Sequence, residues 1–343
     1  MANFTALIPQ NTAPNGVDKI GVYNEQGYRI GAFGVGSLAF PNNIGSKLYS
    51  FGALSDIHIS QDTAEADFRR ALTYLNNVEN VDFICTAGDL TQYGYYNGDD
   101  EFNLYNTCVN ECSPNTTVYT IAGNHDCYGN GMTDAKFQQY TGYKTFYTFT
   151  KGNDVFIMLS QIAWPSVSSN IQPYSTSGLQ SLYNALETNR NKRCFVFLHN
   201  FPWGKSGDPF ELYSSNALWS TQGTVIYSLM EHYPNALWFH GHSHQTFETQ
   251  LQHEKANYDF DFGCHSIHIP SCALPIDIVN GTRVTKTEGS QGYVVDVYNN
   301  AVVLRGRDFK NEKFIPVAMY CLDTTLKTVS AGTYTDSTGT ITI

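Results

Sequence analysis

The chain has 343 residues, 42% of them hydrophobic and 14% aromatic, which is enough to bury the core of one large domain or two smaller ones and excludes a disordered polypeptide. Lysine and arginine number 20 against 31 aspartates and glutamates, and the formal net charge of −11 argues against non-specific binding to nucleic acid, which needs basic side chains on phosphates. A small phosphorylated substrate remains compatible with that charge, because bound dications reverse the local field.

Residues Met1 to Gln10 lack a basic stretch followed by an apolar core, so no signal peptide is read and a cytoplasmic location is expected. No apolar run is long enough to span a bilayer. The eight cysteines show no C-x-x-C pairing and are expected to be reduced thiols, mostly small buried side chains.

Residues 1–46 are rich in Gly, Asn and Pro, with short candidate strands at Lys19–Tyr23 and Tyr28–Phe33, and read as an N-terminal β-rich appendage. From residue 47 strand and helix alternate. Leu48–Leu54 predicts a strand, and Asp62 or Thr63 can cap a helix whose apolar face carries Phe68, Leu72, Leu75 and Val78 at spacings of three and four. Strands are predicted at Val81–Ala87, Val118–Ala122, Val155–Leu159, Cys194–Leu198 and Ala236–Phe239, with an amphipathic helix through Leu179, Leu182, Tyr183 and Leu186. The run Asp99, Asp100, Glu101 reads as a solvated helix start. After Gly263 the pattern changes to short β segments at His265–Ile269, Gly292–Tyr298, Ala301–Arg305 and Phe314–Leu322, with a hairpin turn at Tyr298–Ala301. The expected organisation is an appendage over 1–46, an α/β domain over 47–310 and a C-terminal β extension over 311–343.

Five motifs interrupt this pattern, each at the end of an apolar or β-branched run: Asp56-Ile57-His58, Gly88-Asp89, Gly123-Asn124-His125-Asp126, His199 after Val196-Phe197-Leu198, and Gly241-His242-Ser243-His244. In an α/β sheet, ligands bind at the carboxyl ends of strands. Carboxylate, amide oxygen and imidazole are the donors that divalent ions of hard or borderline character take. Two such ions need a bridging ligand, and Asp89, alone after a glycine, is the natural one. Asn124 adds a neutral carbonyl ligand, and a water or hydroxide between the metals becomes the nucleophile. A lone histidine such as His199 is ordinarily structural, but the other four motifs make it a ligand here. His240, His253, His265 and His268 are read as structural, and Cys127 lies beside the third motif.

In this order, the five motifs resemble those of the calcineurin-like metallophosphoesterases, over roughly Leu48 to Glu248. The resemblance implies a four-layer α/β/β/α sandwich of two mixed sheets flanked by helices, and a dinuclear centre of two divalent or trivalent ions, with Mn, Fe or Zn the leading candidates. It implies Asp56, His58, Asp89 and His244 on one metal and Asp89, Asn124, His199 and His242 on the other. His125 would contact the phosphate and assist the leaving oxygen, with Asp126 orienting it. The Gly88-Asp89-Leu90-Thr91 run and Gly123 to Asp126 are most similar to the cyclic-nucleotide, class III phosphodiesterase-like branch, although Asn200 stands where that branch often has a second histidine. Protein phosphatases of the superfamily carry an Arg shortly after Gly-Asp, absent here. Purple acid phosphatases carry a Tyr three residues after the motif Asp, where this chain has Gln92, with Tyr93 one position off.

The expected activity is hydrolysis of a phosphodiester or phosphomonoester through a metal-bridging hydroxide, the diester preferred. Tyr93 and Trp203, near the proposed ligands, are candidate substrate contacts, beside Asn124 and His125; Tyr95, Tyr96 and Phe102 belong to the same aromatic cluster as Tyr93. The rival reading is a structural or attachment protein, for example of a phage particle or surface assembly, that uses the domain as a binding module. In that reading the N- or C-terminal region joins an oligomer or assembly partner.

Overall fold

The structure is a computed structural model and describes residues 19–23, 29–34, 44–94, 99–164, 172–200, 206–207, 221–250, 258–259, 265–279, 282–286 and 289–329. Two six-stranded mixed sheets face one another. The first is built from β3 (Lys47–Leu54), β4 (Phe83–Thr86), β5 (Thr117–Thr120), β14 (Gln291–Tyr298), β15 (Ala301–Asp308) and β16 (Lys313–Asp323), in the order β16-β15-β14-β3-β4-β5. The second is built from β6 (Phe146–Lys151), β7 (Asp154–Leu159), β8 (Cys194–Phe197), β9 (Ala236–His240), β10 (Tyr258–Asp259) and β11 (His265–His268), in the order β10-β11-β9-β8-β7-β6. The runs β3-β4-β5 and β7-β8-β9-β11 are parallel, so their carboxyl ends share one edge of each sheet.

Side chains alternate across a strand, and both faces of these strands are buried. Phe51, Phe83 and Cys85 of the first sheet meet Phe156, Phe195, Phe197 and Phe239 of the second in the central core. The opposite face of the first sheet, with Leu54 and Ile84, packs on α1 (Ala64–Asn77), α2 (Asp100–Cys112) and α3 (Asp134–Thr141) through Phe68, Leu72, Leu75, Phe102 and Phe137. The opposite face of the second sheet, with Val155, Ile157, Val196 and Trp238, packs on α4 (Thr176–Thr188) and α5 (Thr221–His232) through Leu179, Leu182, Leu186, Val225 and Leu229. This is the expected α/β/β/α sandwich. No helix among the described residues is long and apolar enough to cross a membrane.

Two local expectations change. Val78 is not on the apolar face of α1; the helix ends at Asn77 and Val78 is 62% exposed. Thr63 stands at the cap position but makes no capping bond; its hydroxyl donates to the Asp67 carboxylate (2.6 Å). Strand β16 pairs along β15 from Ala301↔Asp323 to Asp308↔Lys313. The N-terminal strands lie at Lys19–Tyr23 and Arg29–Gly34, paired with each other as β1 and β2. A further hairpin, β12 (Ile276–Val279) with β13 (Thr282–Thr285), was not foreshadowed by any strong pattern.

Candidate dinuclear metal site

Five loops meet where β3, β4, β5, β8 and β9 end, at one edge of the two facing sheets. Backbone bonds stitch them together. The amides of Asp56 and His58 donate to the carbonyls of Gly88 (3.1 Å) and Asp89 (2.9 Å), and the Gly241 amide donates to the His199 carbonyl (3.0 Å). Eight non-glycine residues have positive φ among those described, and five are Asp56 (52°), His58 (47°), Asp89 (50°), His242 (73°) and His244 (62°). Such conformations cost about 1–3 kcal/mol each and persist where surrounding contacts enforce them, so among the described residues backbone strain gathers largely at one place. Two glycines make room for it. A Cβ on Gly123 would collide with the Asp89 carboxylate, and one on Gly241 with Ser55 Oγ and the Asp56 carboxylate.

The strand ends bring two groups of side chains together, Asp56, His58, Asp89 and His244 in one and Asp89, His199 and His242 in the other. Within each group the ligand atoms lie within 4.8 Å of one another, and Asp89 belongs to both. Asn124 Oδ1 lies 3.0 Å from His199 Nε2, which places it with the second group. Asp56, His58, Asp89, Asn124 and His199 are each no more than 3% exposed.

The imidazoles are aimed from behind. Nδ1 of His199 lies 2.7 Å from the Ala87 carbonyl, that of His58 2.7 Å from Gln92 Oε1, and that of His244 3.2 Å from the Leu274 carbonyl. Each partner is an acceptor, which assigns the proton to Nδ1 and leaves the Nε2 lone pair facing inward. The consequence is a convergence of acceptors. His58 Nε2 and His244 Nε2 are 3.1 Å apart, and His199 Nε2 faces Asn124 Oδ1 at 3.0 Å and Asp89 Oδ2 at 3.1 Å. Asp89 Oδ2 is buried without a hydrogen-bond donor, while Oδ1 accepts from the His125 amide (2.8 Å). Lone pairs this close need positive charge between them.

The titration of the cluster follows the same logic. Burial pushes His58 down to about 3, with the nearby His244 acting in the same direction; burial and the neighbouring His199 likewise push His242 down to about 3. Both are therefore neutral imidazoles, the form that binds metal. Burial alone would raise Asp56 and Asp89, but Asp56 is held below the usual carboxylate range by His244 and His199, and Asp89 by His199, His125 and His58. Burial would lower His199, yet Asp89 and Asp56 outweigh it and raise the ring to about 9. The two buried carboxylates thus favour positive charge at the His199 Nε2 position. A proton can meet that demand, and a dication meets it more fully. Carboxylate, imidazole and amide donors, without a thiolate, fit Mn, Fe or Zn.

His125 begins a single turn of 3-10 helix (His125–Cys127), and its ring packs edge-on against His58, centroids 4.6 Å apart. The expectation that Asp126 orients this ring is not met: Nδ1 of His125 lies 2.8 Å from the Gln92 carbonyl. Asp126 is fully buried and instead accepts from the amides of Gly123 (2.7 Å), Leu90 (3.2 Å) and Thr91 (2.9 Å) and from the Thr91 hydroxyl (2.8 Å). Its short side chain is consumed by the turn that contains it. Glu101, expected on a solvated helix start, is 8% exposed; it accepts from the amides of Gln92 (2.7 Å) and Tyr93 (2.9 Å) and from the Ser60 hydroxyl (2.8 Å). The loop after Asp89 thus needs an acceptor at the N-terminus of α2, and Glu101 provides it.

His240, His265 and His268 are buried on β9 and β11; His240 Nε2 lies 3.1 Å from the Ser206 and Ser266 hydroxyls. Phe102 is buried and stacks on Tyr140 at 4.2 Å, so it is core rather than a substrate contact. Tyr93 is 38% exposed. Trp203, Tyr95 and Tyr96 lie outside the described residues, as does His253. Cys127 is buried next to His125, and burial pushes its thiol well up. Sequence reasoning missed Gln92 as a support for two histidines, and Tyr128 and Trp164, whose rings continue outward from His125.

The model of the family described as calcineurin-like phosphoesterase matches residues 49–246, more than half of the chain and all five motifs. No curated protein matches in sequence. Among solved structures, the chain is similar to a dimetal phosphatase from Danio rerio, with 14% identity and a TM-score of 0.58 over 82% of this chain and 100% of that one. It is similar to GAP50, described as the anchor in the inner membrane complex of Plasmodium, with 16% identity and a TM-score of 0.53 over 83% of this chain and 91% of that one. It is also similar to a purple acid phosphatase from seeds of yellow lupin (Lupinus luteus), with 13% identity and a TM-score of 0.54 over 82% of this chain and 55% of that one. At these identities the likeness is one of fold.

Proposed function

Because the chain belongs to the calcineurin-like phosphoesterase family, we propose that it hydrolyses a small phosphodiester, or less readily a phosphomonoester, at a dinuclear metal centre. The reading is carried by the convergence of buried side chains on Asp89 Oδ2, which lies 3.6 Å from His58 Nε2 and 3.1 Å from His199 Nε2. Asp56, His58, Asp89 and His244 would hold one ion, and Asp89, Asn124, His199 and His242 the other. The ions, when bound, supply charge on the phosphoryl oxygens and lower the pKa of a shared water.

The protein's own residues do the rest. The carbonyls of Ala87 and Leu274 and the Gln92 side chain hold the imidazoles in the tautomer that presents Nε2. His125, with Nδ1 donating to the Gln92 carbonyl, keeps Nε2 for a phosphoryl oxygen or, when the ring is protonated, for giving a proton to the departing oxygen. Asp126 would keep the Asp89 and Asn124 loops at a fixed separation. The diester preference rests on the run Gly88-Asp89-Leu90-Thr91.

The same fold occurs in a protein described as an anchor, so an assembly role is compatible with the architecture alone. The converging donors Asp56, His58, Asp89, His199, His242 and His244, most of them buried, favour the enzyme, since a binding module has no need of strained, mutually repelling acceptors. Hydrolysis of bis-p-nitrophenyl phosphate and p-nitrophenyl phosphate with added Mn²⁺ tests the reading. We expect turnover of the diester above that of the monoester, and a loss of about 10³-fold or more in Asp89→Asn, the scale on which charge-stabilising groups contribute. A folded, metal-loaded protein inactive on both esters would refute the reading.

A further inference from the structure

We infer that Trp164, Tyr128 and Tyr93 form a recognition surface for a planar aromatic group carried by the alcohol that leaves the phosphoester. Large hydrophobic side chains on the surface are few among the described residues, and the three that are aromatic stand together: Tyr93 is 38% exposed, Tyr128 38% and Trp164 40%. Their rings form a chain that starts at His125. Trp164 lies 5.0 Å from His125, Tyr128 lies 5.5 Å from Trp164, and Tyr93 lies 5.8 Å from Tyr128, all centroid distances. Every contact is edge-to-face, with interplanar angles of 66°, 83° and 73°. In an edge-to-face pair the edge of one ring covers only one face of its neighbour, and it is faces that stack on a ligand.

The surface is fixed by the same loops that fix the cluster. The Tyr93 amide donates to Glu101, and the adjacent Gln92 carbonyl holds His125. The Tyr128 amide donates to the His125 carbonyl at 3.1 Å, closing the turn that presents the histidine. The segment leading to Trp164 is held by the Met132 amide donating to the Ile162 carbonyl (2.7 Å) and by the Ile162 amide donating to the Pro173 carbonyl (2.8 Å). An aromatic surface that merely capped the core would be buried. This one is partly exposed beside the residue proposed to meet the leaving oxygen. For a protein of net charge −11, ring stacking also offers affinity for an anionic substrate that surface charge does not.

The inference rests on the proposed function only for where the phosphoryl group sits. Its chemistry, a planar ring beyond the scissile oxygen, fits a nucleobase on a sugar or the ring of an aryl ester. Three non-hydrolysable phosphonates separate the cases: the 5′-methylenephosphonate of adenosine, the same compound of ribose without the base, and benzylphosphonate. Calorimetric titration of each into the Mn²⁺-loaded protein reads binding without turnover. We expect at least one aromatic compound to bind about tenfold more tightly than the ribose compound, and which of the two is tighter identifies the source of the ring. Trp164→Ala is expected to abolish that preference and Trp164→Phe to keep most of it. Equal affinities for the three compounds, or a preference that survives both Trp164→Ala and Tyr128→Ala, would overturn the inference. Hydrolysis of bis-p-nitrophenyl phosphate by the same preparation reports on the proposed function separately. Ring-selective binding without hydrolysis would uphold the surface and sink the enzyme reading.

Discussion

Gln92 shows how much one residue can organise. Its side-chain oxygen accepts from His58 Nδ1 at 2.7 Å and its backbone carbonyl from His125 Nδ1 at 2.8 Å, so it aligns a proposed metal ligand and a proposed proton donor at once. Substitution separates the two duties, because only the first belongs to the side chain. In Gln92→Ala the His58 ring loses its tether while His125 keeps its own. We expect Mn²⁺ affinity, measured by titration calorimetry, to fall about 10–100-fold, as is usual when a group behind a ligating histidine is removed. An affinity within twofold of the wild type would show that His58 is held by packing alone. Nothing in the sequence marks Gln92 for this part. Its two contacts depend on the fold bringing residue 92 over positions 34 and 33 residues away, and no periodicity records that.

At the scale of elements, the site depends on keeping the loops after β4 and β5 at a fixed distance. Asp126 does this with four accepted hydrogen bonds, from Leu90, twice from Thr91, and from Gly123. Burial and the neighbouring Asp89 push its carboxyl up to about 7, against the pull of those donors. Removing the side chain would strand buried amides, at about 1–3 kcal/mol for each group left without a partner. Asp126→Ala is therefore expected to lower the thermal midpoint by about 4 °C or more and to reduce bound metal below two ions per chain, both measurable by calorimetry and elemental analysis. Wild-type stability with two ions bound would contradict this assignment. The strands themselves were legible: continuous apolar runs located β3, β7, β8 and β9 to within a residue or two, because both faces of each are buried between layers. Residues that end an element were less so. Val78 continues the spacing of α1 but lies beyond its last turn, and Thr63 diverts its hydroxyl to Asp67.

For the whole molecule, two sheets are set face to face so that strands distant in sequence end at one edge. Asp56, Asp89 and Asn124 come from the first sheet, and His199, His242 and His244 from the second. The five motifs were readable because chemistry of this kind requires particular residue types at strand ends, where a sequence shows an apolar run stopping at a polar residue. The aromatic surface of Tyr128 and Trp164 was not, since Trp164 follows a strand with no motif around it and meets His125 only through the fold. The pairing of the edge strand Lys313–Asp323 with β15 likewise leaves no trace in its own composition. The most direct test of the central claim is anomalous diffraction from crystals of the Mn²⁺-loaded protein. The account predicts two peaks about 3.5–4 Å apart, one on each side of the Asp89 carboxylate, both lost in Asp89→Asn. A single peak, or two that do not share Asp89, would contradict it.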